Sequence, residues 1–154
     1  MGLMACAFCE IAQGRTTAAV VFETAEAIAF LDTRPLFHGH CLLIPKTHYE
    51  TMTDLPVEAV APLFETARRL CSAVERGMGA DGSFLAVNNR VSQSVPHVHV
   101  HVTPRRRKDG LKGFFWPRTK YRDEGEMEAV RSAIATAMKD EGPAVEHDGR
   151  RPEA

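Results

Sequence analysis

The spacing of apolar positions changes several times along the chain, and each spacing predicts a type of secondary structure. Short apolar runs bounded by polar turns predict strands at residues 19–23, 27–31, 41–44 and 83–87. A strict alternation of histidine and valine predicts a fifth strand over 96–103. Five short strands are too many for an all-helical protein.

One long segment has the helical period instead. Its apolar residues recur every three or four positions: Val57, Val60, Leu63, Phe64, Ala67, Leu70, Cys71 and Val74. Asp54 is the predicted N-cap of this helix, with Pro56 in its first turn, and Gly77 or Gly79 is predicted to end it. The sequence therefore predicts one long helix between the third and fourth strands.

Two further helices and a tail complete the predicted secondary structure. A short helix is expected over 5–13 and a C-terminal helix over 124–139, while 140–154 has almost no apolar content and is expected to be disordered. Strands joined by short turns favour an antiparallel sheet, because parallel strands need long crossovers. The predicted fold class is α+β, with about five antiparallel strands, one long helix and a C-terminal helix in a single domain over 1–139.

Composition agrees with one globular domain and excludes some functions. The 154 residues are 44% hydrophobic and 25% charged, with a formal net charge of -1. A protein that coats nucleic acid would be far more basic, and no apolar run approaches the ~18 residues of a membrane span. The first residues also lack the basic start and long apolar stretch of a signal peptide. We therefore expect a cytoplasmic protein with no membrane or nucleic-acid partner.

Charge is unevenly distributed despite the balanced total. Residues 105–122 contain eight lysines or arginines and one acid, Asp109. This basic block follows the histidine-rich strand, so it could form an anion-attracting rim there. A solvated basic loop is the alternative interpretation.

The histidine–valine strand carries the strongest chemical signal. Because side chains alternate along a strand, His97, His99 and His101 share one face and the valines the other. We expect the valines to pack under the long helix and the histidines to face outward into a cleft. Three imidazoles together suit a transition-metal site. They also suit nucleophilic or acid–base chemistry near neutral pH. The remaining alternative is a polar strand face without a functional role.

The cysteines suggest a metal site. Cys6 and Cys9 have the C-x-x-C spacing of half a tetrahedral zinc site, which His48 and His97 could complete. With four protein ligands such a site would be closed and structural, attaching the N-terminal helix to the sheet. Two incidental thiols are the alternative, and a thioredoxin-like redox pair is disfavoured because no strand precedes the motif.

Several segments in order resemble the histidine triad nucleotide-binding proteins. They are the QSVPHVHVHV run of 93–102, the CAFCEI of 6–11, the AFLD of 29–32 and the HGHCLLIPKTH of 38–48. The similarity extends from about residue 6 to residue 105. It implies an antiparallel sheet with one long helix, usually as a homodimer. It also implies hydrolysis or transfer of a nucleoside monophosphate from phosphoramidates, aminoacyl adenylates or dinucleoside polyphosphates, with a purine, adenosine-containing substrate.

The same resemblance implies roles for individual residues. His99 would be the nucleophile, Asp32 would bind the ribose hydroxyls, and His40 would line the site and orient the triad. The phosphate would be surrounded by Asn88, Gln93, Ser94 and His101. The zinc ligands of zinc-bearing members match Cys6, Cys9, His48 and His97. Asp32 and His40 could instead be ordinary turn residues.

The chain departs from the family pattern in two places. Residues 88–93 carry no glycine, whereas the family loop usually does, and Asn88 and Asn89 are expected to tolerate the left-handed backbone best. Which of the two contacts nucleotide is left open. The aromatic segment 113–118 could cover the site, form the dimer contact or, as we prefer, pack under the last helix.

Three functions are compatible with these residues. A hydrolase that forms a nucleotidyl-histidine, without requiring a divalent metal for the chemistry, is the leading hypothesis. A nucleotide-binding regulatory module with a structural zinc would retain the same side chains. A zinc-stabilised interaction protein, whose histidine face only binds metal, is the third.

Overall fold

The structure, a computed structural model, describes residues 6–111 and 120–140. The chain divides into two compact units, Met1–Leu111 and Lys112–Ala154, each of which is described by itself. The predicted aromatic segment 113–118 and, apart from Asp140, the predicted disordered tail lie outside the described residues. The single domain over 1–139 stays a prediction.

The first unit is built on one antiparallel sheet, which confirms the predicted fold class. Its strands are β1 (Val20–Glu23), β2 (Ala27–Leu31), β3 (Cys41–Pro45), β4 (Gly82–Val87) and β5 (Val100–Arg105), in the spatial order β1-β2-β3-β5-β4. The predicted strand positions agree to within a residue or two, except at the start of β5. The β2–β3 pairing places Leu31 opposite Cys41.

Three helices are described. Helix α1 (Ala7–Ala12) and helix α2 (Val57–Met78) belong to the first unit, and helix α3 (Glu124–Asp140) to the second. Helix α2 ends at Gly79, whose φ of 56° is left-handed and suits glycine at this position. None of the described helices has the length and apolar character needed to cross a bilayer.

The prediction that Asp54 caps α2 is wrong. Asp54 instead closes a 3₁₀ turn, Met52–Asp54, in which its carboxylate accepts hydrogen bonds from the backbone N–H and the hydroxyl of Thr51. Pro56 is the N-cap residue of α2. Two capping motifs lie within five residues here, and the sequence pattern alone did not separate them.

The two faces of the sheet carry separate cores. On one face, α2 packs against the valines of the histidine segment, in a cluster that includes Leu63, Ala67, Leu70, Val74, Val98, Val100 and Val102. On the other face, Phe8 of α1 packs on a second cluster with Ile28, Phe30, Leu42 and Ile44. The predicted burial of the valines under the long helix is therefore confirmed.

Strand β5 begins at Val100, later than predicted. The segment before it alternates like a strand but lies outside the sheet ladder; there the backbone N–H of Val98 donates to the carbonyl of Tyr49 at 2.7 Å. The alternation of histidine and valine predicts the face on which each side chain lies. It does not predict where hydrogen bonding to the neighbouring strand begins, because that depends on the path of the neighbouring strand. His97 and His99 are thus held on an extended segment that leads into β5.

Candidate functional site

The histidine face is partly covered: His97 is buried, whereas His99 and His101 line a cavity, as predicted. His97 is 0% and His99 is 2% exposed, and only His101 is partly accessible. Helix α1 covers this face, because the ring of Phe8 packs edge-on against His97 and His99, with centroids 6.0 and 5.2 Å away. The N-terminal helix therefore forms one wall of the site.

The imidazole of His99 is oriented by the backbone carbonyl of His97. Its Nδ1 lies 2.7 Å from the carbonyl oxygen of His97, and a carbonyl can only accept, so Nδ1 carries the proton. In the neutral ring, Nε2 then holds a lone pair. This is the protonation state that a nitrogen nucleophile needs.

A second pair of imidazoles forms a directional hydrogen-bond chain. The backbone N–H of Leu36 donates to Nδ1 of His40 at 3.1 Å, so the proton of neutral His40 is on Nε2. That Nε2 lies 3.0 Å from Nδ1 of His101, which accepts. The proton of neutral His101 is consequently on Nε2, where it can be donated to another group. His40 acts on the site through His101.

Burial keeps these imidazoles uncharged. Burial, together with the neighbouring His99 and His40, lowers the pKa of His101 to about 4, although Asp32 acts in the opposite direction. Burial also lowers the pKa of His40, and Asp32, whose Oδ2 is 3.7 Å from His40 Nδ1, opposes that shift only in part. At neutral pH the pair is therefore a relay of neutral hydrogen bonds.

A cavity of about 570 Å³ opens in front of these histidines. Four of the predicted site residues line it: Asp32, Ser94, His99 and His101. Sequence reasoning missed Phe8 and Ile11 of α1 and Arg34, which also line it. A sequence signal for Arg34 existed, because an aspartate side chain often accepts from the backbone N–H two residues later. Here the backbone N–H of Arg34 donates to the Asp32 carboxylate at 2.8 Å.

Asn88 and Gln93 do not line this cavity; they hold the loop beside it. Gln93 donates to the carbonyl of Glu50 at 2.6 Å and accepts from the backbone N–H of Arg90 at 2.7 Å. Asn88 donates to the carbonyl of Ser92 at 3.3 Å. Their assignment to nucleotide binding stays a prediction.

The loop adopts left-handed backbone without glycine. The positive φ values are those of Arg90 (65°) and Ser92 (60°), not of Asn88 or Asn89 as expected. Asn89 instead uses its side-chain oxygen to accept from the backbone N–H of Met52 at 2.9 Å. The αL conformation costs an L-residue roughly 1–2 kcal/mol, which the loop's hydrogen bonds must offset.

Two arginines of the basic block, Arg105 and Arg106, are engaged away from the site. Arg105 is at the opposite end of β5 from His101 and pairs with Asp109 at 2.6 Å, and Arg106 donates to the carbonyl of Met78. These contacts occupy the arginines in structural roles. The expected anion-attracting rim is therefore not formed by Arg105 or Arg106.

The predicted metal ligands converge on one point. One ligand atom each from Cys6, Cys9, His48 and His97 lies within 4.8 Å of all the others. Cys9 Sγ is 3.3 Å from His48 Nδ1 and 3.6 Å from His97 Nδ1, and Cys6 Sγ is 3.5 Å from His97 Nδ1. Zinc bond lengths imply sulfur–nitrogen separations of about 3.6 Å across a tetrahedron, so this set fits zinc.

The environment of His97 supports the same fit. Its Nε2 donates to the carbonyl of Pro45 at 2.8 Å, which leaves the lone pair of Nδ1 directed to the two thiols. Asp32, His40 and His101 form another cluster with metal-ligand spacing. Both ring nitrogens of His40 are already hydrogen-bonded, so that cluster is a proton relay in this structure.

Comparison with known proteins identifies the fold family. Residues 13–108 match the HIT domain model. The chain is 36% identical over 108 residues to the adenylylsulfatase HINT3 of Arabidopsis thaliana, covering 69% of this chain and 55% of that protein. It is 33% identical over 138 residues to the adenosine 5'-monophosphoramidase hnt1 of Schizosaccharomyces pombe, covering 88% of this chain and 100% of the relative.

Solved structures agree with the fold, and one of them is described as zinc-bound. A HIT family protein from Bacillus subtilis superposes with a TM-score of 0.77 at 30% identity, over 86% of this chain and 96% of that one. A zinc-bound histidine triad family protein from Mycobacterium smegmatis superposes with a TM-score of 0.67 at 37% identity, over 90% and 99% of the two chains. With its sheet, its histidine segment and these relatives, the chain belongs to the HIT domain family.

Proposed function

We propose that the protein hydrolyses or transfers the α-phosphate of adenosine-containing nucleotides through a covalent nucleotidyl-histidine at His99. The observation that carries this proposal is the orientation of His99, whose Nδ1–H is held by a backbone carbonyl while its ring lines the cavity. The named hydrolase activities of the two relatives support nucleotide hydrolysis as the general reaction.

The chemistry divides into two displacements. His99 Nε2 attacks the α-phosphorus and the bond to the leaving group breaks, with a proton passing to that group. His101 donates its Nε2–H to a phosphate oxygen, and Ser94 donates a second hydrogen bond. Water then attacks the same phosphorus and loses a proton to solvent, which balances the proton that the leaving group took from solvent in the first step. The P–N bond to His99 breaks, Nε2 recovers its lone pair, and nucleoside monophosphate leaves.

Asp32 is the proposed anchor of the ribose. One of its oxygens accepts from Arg34 N–H, and the other lies 3.7 Å from His40 Nδ1, which already accepts from the backbone N–H of Leu36. The second oxygen therefore has capacity to accept from sugar hydroxyls. A carboxylate committed to ribose leaves the phosphate to neutral donors, so the chemistry is proposed to need no divalent ion.

We propose that zinc is held by Cys6, Cys9, His48 and His97 in a structural role. Four protein ligands leave no open position on the metal, and its contribution would be to fix α1 against the histidine segment.

A homodimer is also proposed. Strand β4 is an outer strand whose sequence, GSFLAV, has no charge or proline to protect its edge.

The leaving group is tested by a substrate panel. The parent protein is incubated with adenosine 5'-phosphoramidate, an aminoacyl adenylate, adenylyl sulfate or diadenosine polyphosphate, and release of AMP is measured with and without excess EDTA. We expect turnover of at least one substrate, unchanged by EDTA in a short assay. Quenching with alkaline denaturant during turnover should trap base-stable nucleotide on the protein, and later acidification should release it.

The alternatives give different results in the same experiment. A regulatory module would bind AMP without releasing product from any substrate. Activity lost immediately on chelation and restored by magnesium alone would indicate a metal-activated water. Either outcome would contradict the covalent histidine mechanism.

A further inference from the structure

A second cavity, of about 530 Å³, lies on the α2 side of the sheet. Cys41 of β3 lines it, whereas the next residue, Leu42, lines the cavity in front of His99. Because successive side chains of a strand point to opposite faces, the two cavities lie on opposite faces of the sheet. The second cavity is thus distinct from the proposed catalytic cavity, although Leu31, the last residue of β2, lines both.

The cavity exists because α2 does not cover the whole sheet. The helix packs mainly on β5, β4 and β3. Toward β1 and β2 it presents the small residues Ala73 and Gly77, and the side chains of Val21 and Leu31 are left 48% and 39% exposed. The result is an apolar recess between the helix and the sheet edge.

Two unpaired arginines line this recess. Arg69 places its guanidinium over the Phe22 ring, 5.1 Å from the centroid, and Arg76 donates to the hydroxyl of Ser72 at 2.5 Å. Among the residues that the structure describes, neither forms an ion pair, whereas the neighbouring Arg68 pairs with Glu65. Two positive charges outside any close ion pair of the described residues, beside an aliphatic recess, match a ligand with one anionic end and an apolar body.

We propose that this cavity binds a small aliphatic carboxylate, such as a medium-chain fatty acid. The carboxylate would contact Arg69 and Arg76, because guanidinium groups bind carboxylates through paired hydrogen bonds. The chain would lie against Leu31, Val74 and Met78, which offer no hydrogen bonds to a base or a sugar. The volume is within the range of small-molecule sites.

Titration calorimetry with decanoate, below its micelle concentration, tests the proposal on the full chain. We expect saturable binding of one decanoate per chain and at least about tenfold weaker binding of decanol, which lacks the charge. The Arg69→Gln/Arg76→Gln double variant should bind decanoate about tenfold more weakly or worse. Arg131→Gln, in which an arginine paired with Glu128 on α3 is changed, is the matched control and should bind normally.

A second variant tests the cavity itself. Ala73→Met places a longer apolar side chain in the recess and should abolish decanoate binding, while thermal melting and AMP release stay near parent values. No saturable binding to the parent, or equal affinity in the double variant and the parent, would overturn the proposal. If the parent shows no binding and light scattering shows that Ala73→Met has a different mass from the parent, the recess is an interface between copies of the chain, and the proposal is overturned.

Discussion

The Nε2 of His40 and the Nδ1 of His101 lie 3.0 Å apart, and the direction of that hydrogen bond is set by the backbone N–H of Leu36. His40 sits one residue before β3 and His101 is the second residue of β5, so the two neighbouring strands fix their separation. The position of the proton on His101 is thus set by a backbone donor two hydrogen bonds away.

Acid should destabilise the protein through His101. Its folded pKa of about 4 lies below the ordinary value of 6.5, so between these values the unfolded chain binds a proton that the folded chain does not. Stability is therefore fully present above pH 6.5 and falls as the pH drops toward 4, by about 2–3 kcal/mol from this residue. Denaturant unfolding of His101→Asn should show a correspondingly shallower pH dependence than the parent.

The control for this pH experiment is His38→Asn, since His38 is exposed. That variant should follow the parent across the range. Parallel curves for His101→Asn and the parent would show that His101 does not titrate with a lowered pKa.

Replacement of His99 should remove turnover. Because His99 is only 2% exposed, alanine would also leave a void, so we pair it with His99→Asn, which keeps a side-chain donor for the carbonyl of His97. Both variants should lose at least about 10³-fold in kcat, and His99→Ala should in addition melt at a lower temperature. A His99→Asn protein with near-parent kcat would exclude the nucleophile assignment, and His38→Ala serves as the active control.

Loss of Cys9 should remove the metal and weaken the fold. We expect about one zinc per chain in the parent and essentially none in Cys9→Ser, with a lower melting temperature, because the binding energy of a structural site is folding energy. Elemental analysis and thermal denaturation give the two readouts. Cys71→Ser, which removes a thiol outside the cluster, should keep both; unchanged zinc in Cys9→Ser would reject this ligand set.

Asp32→Asn should raise KM about tenfold with little change in kcat, because the ribose contact is made in both the ground and transition states. The asparagine oxygen can still accept from Arg34 N–H, so the local turn is preserved. A 2'-deoxy substrate gives the sharper measurement. The parent should bind the 2'-deoxy substrate more weakly than the ribose substrate, whereas Asp32→Asn should bind the two equally. An equal loss of affinity in both proteins would show that Asp32 does not contact the ribose.

Leu85→Lys should convert a dimer to a monomer. Leu85 is 39% exposed on the outer strand β4, where a lysine opposes edge-to-edge pairing. Light scattering measures the mass. Val91→Lys, at a loop position that is 81% exposed, should leave the mass unchanged, and a monomeric parent would contradict the proposed homodimer.

The strands and the long helix could be read from the sequence, since periodicity indicates the type of each element and the face of each side chain. The grouping of Asp32 with His99 and His101 was expected only from the resemblance to the family, and the three residues line one cavity. The cover over His97 and His99 could not be read from the sequence. It depends on the packing of Phe8, a residue more than 80 positions away, and no local pattern reports such a contact. The left-handed backbone at Arg90 was missed for a related reason, because the loop's hydrogen bonds override residue preference there.

Helix α1 contains six residues, whereas an isolated helix needs roughly 12–15 to persist in water. It has no side-chain cap and is held in place by the packing of Phe8 and the proximity of its thiols to His48 and His97. One wall of the proposed nucleotide cavity therefore depends on packing and on the cysteine–histidine cluster, and we expect α1 to open locally while the sheet stays folded. Backbone amides of α1 should then exchange with deuterium faster than those of β3.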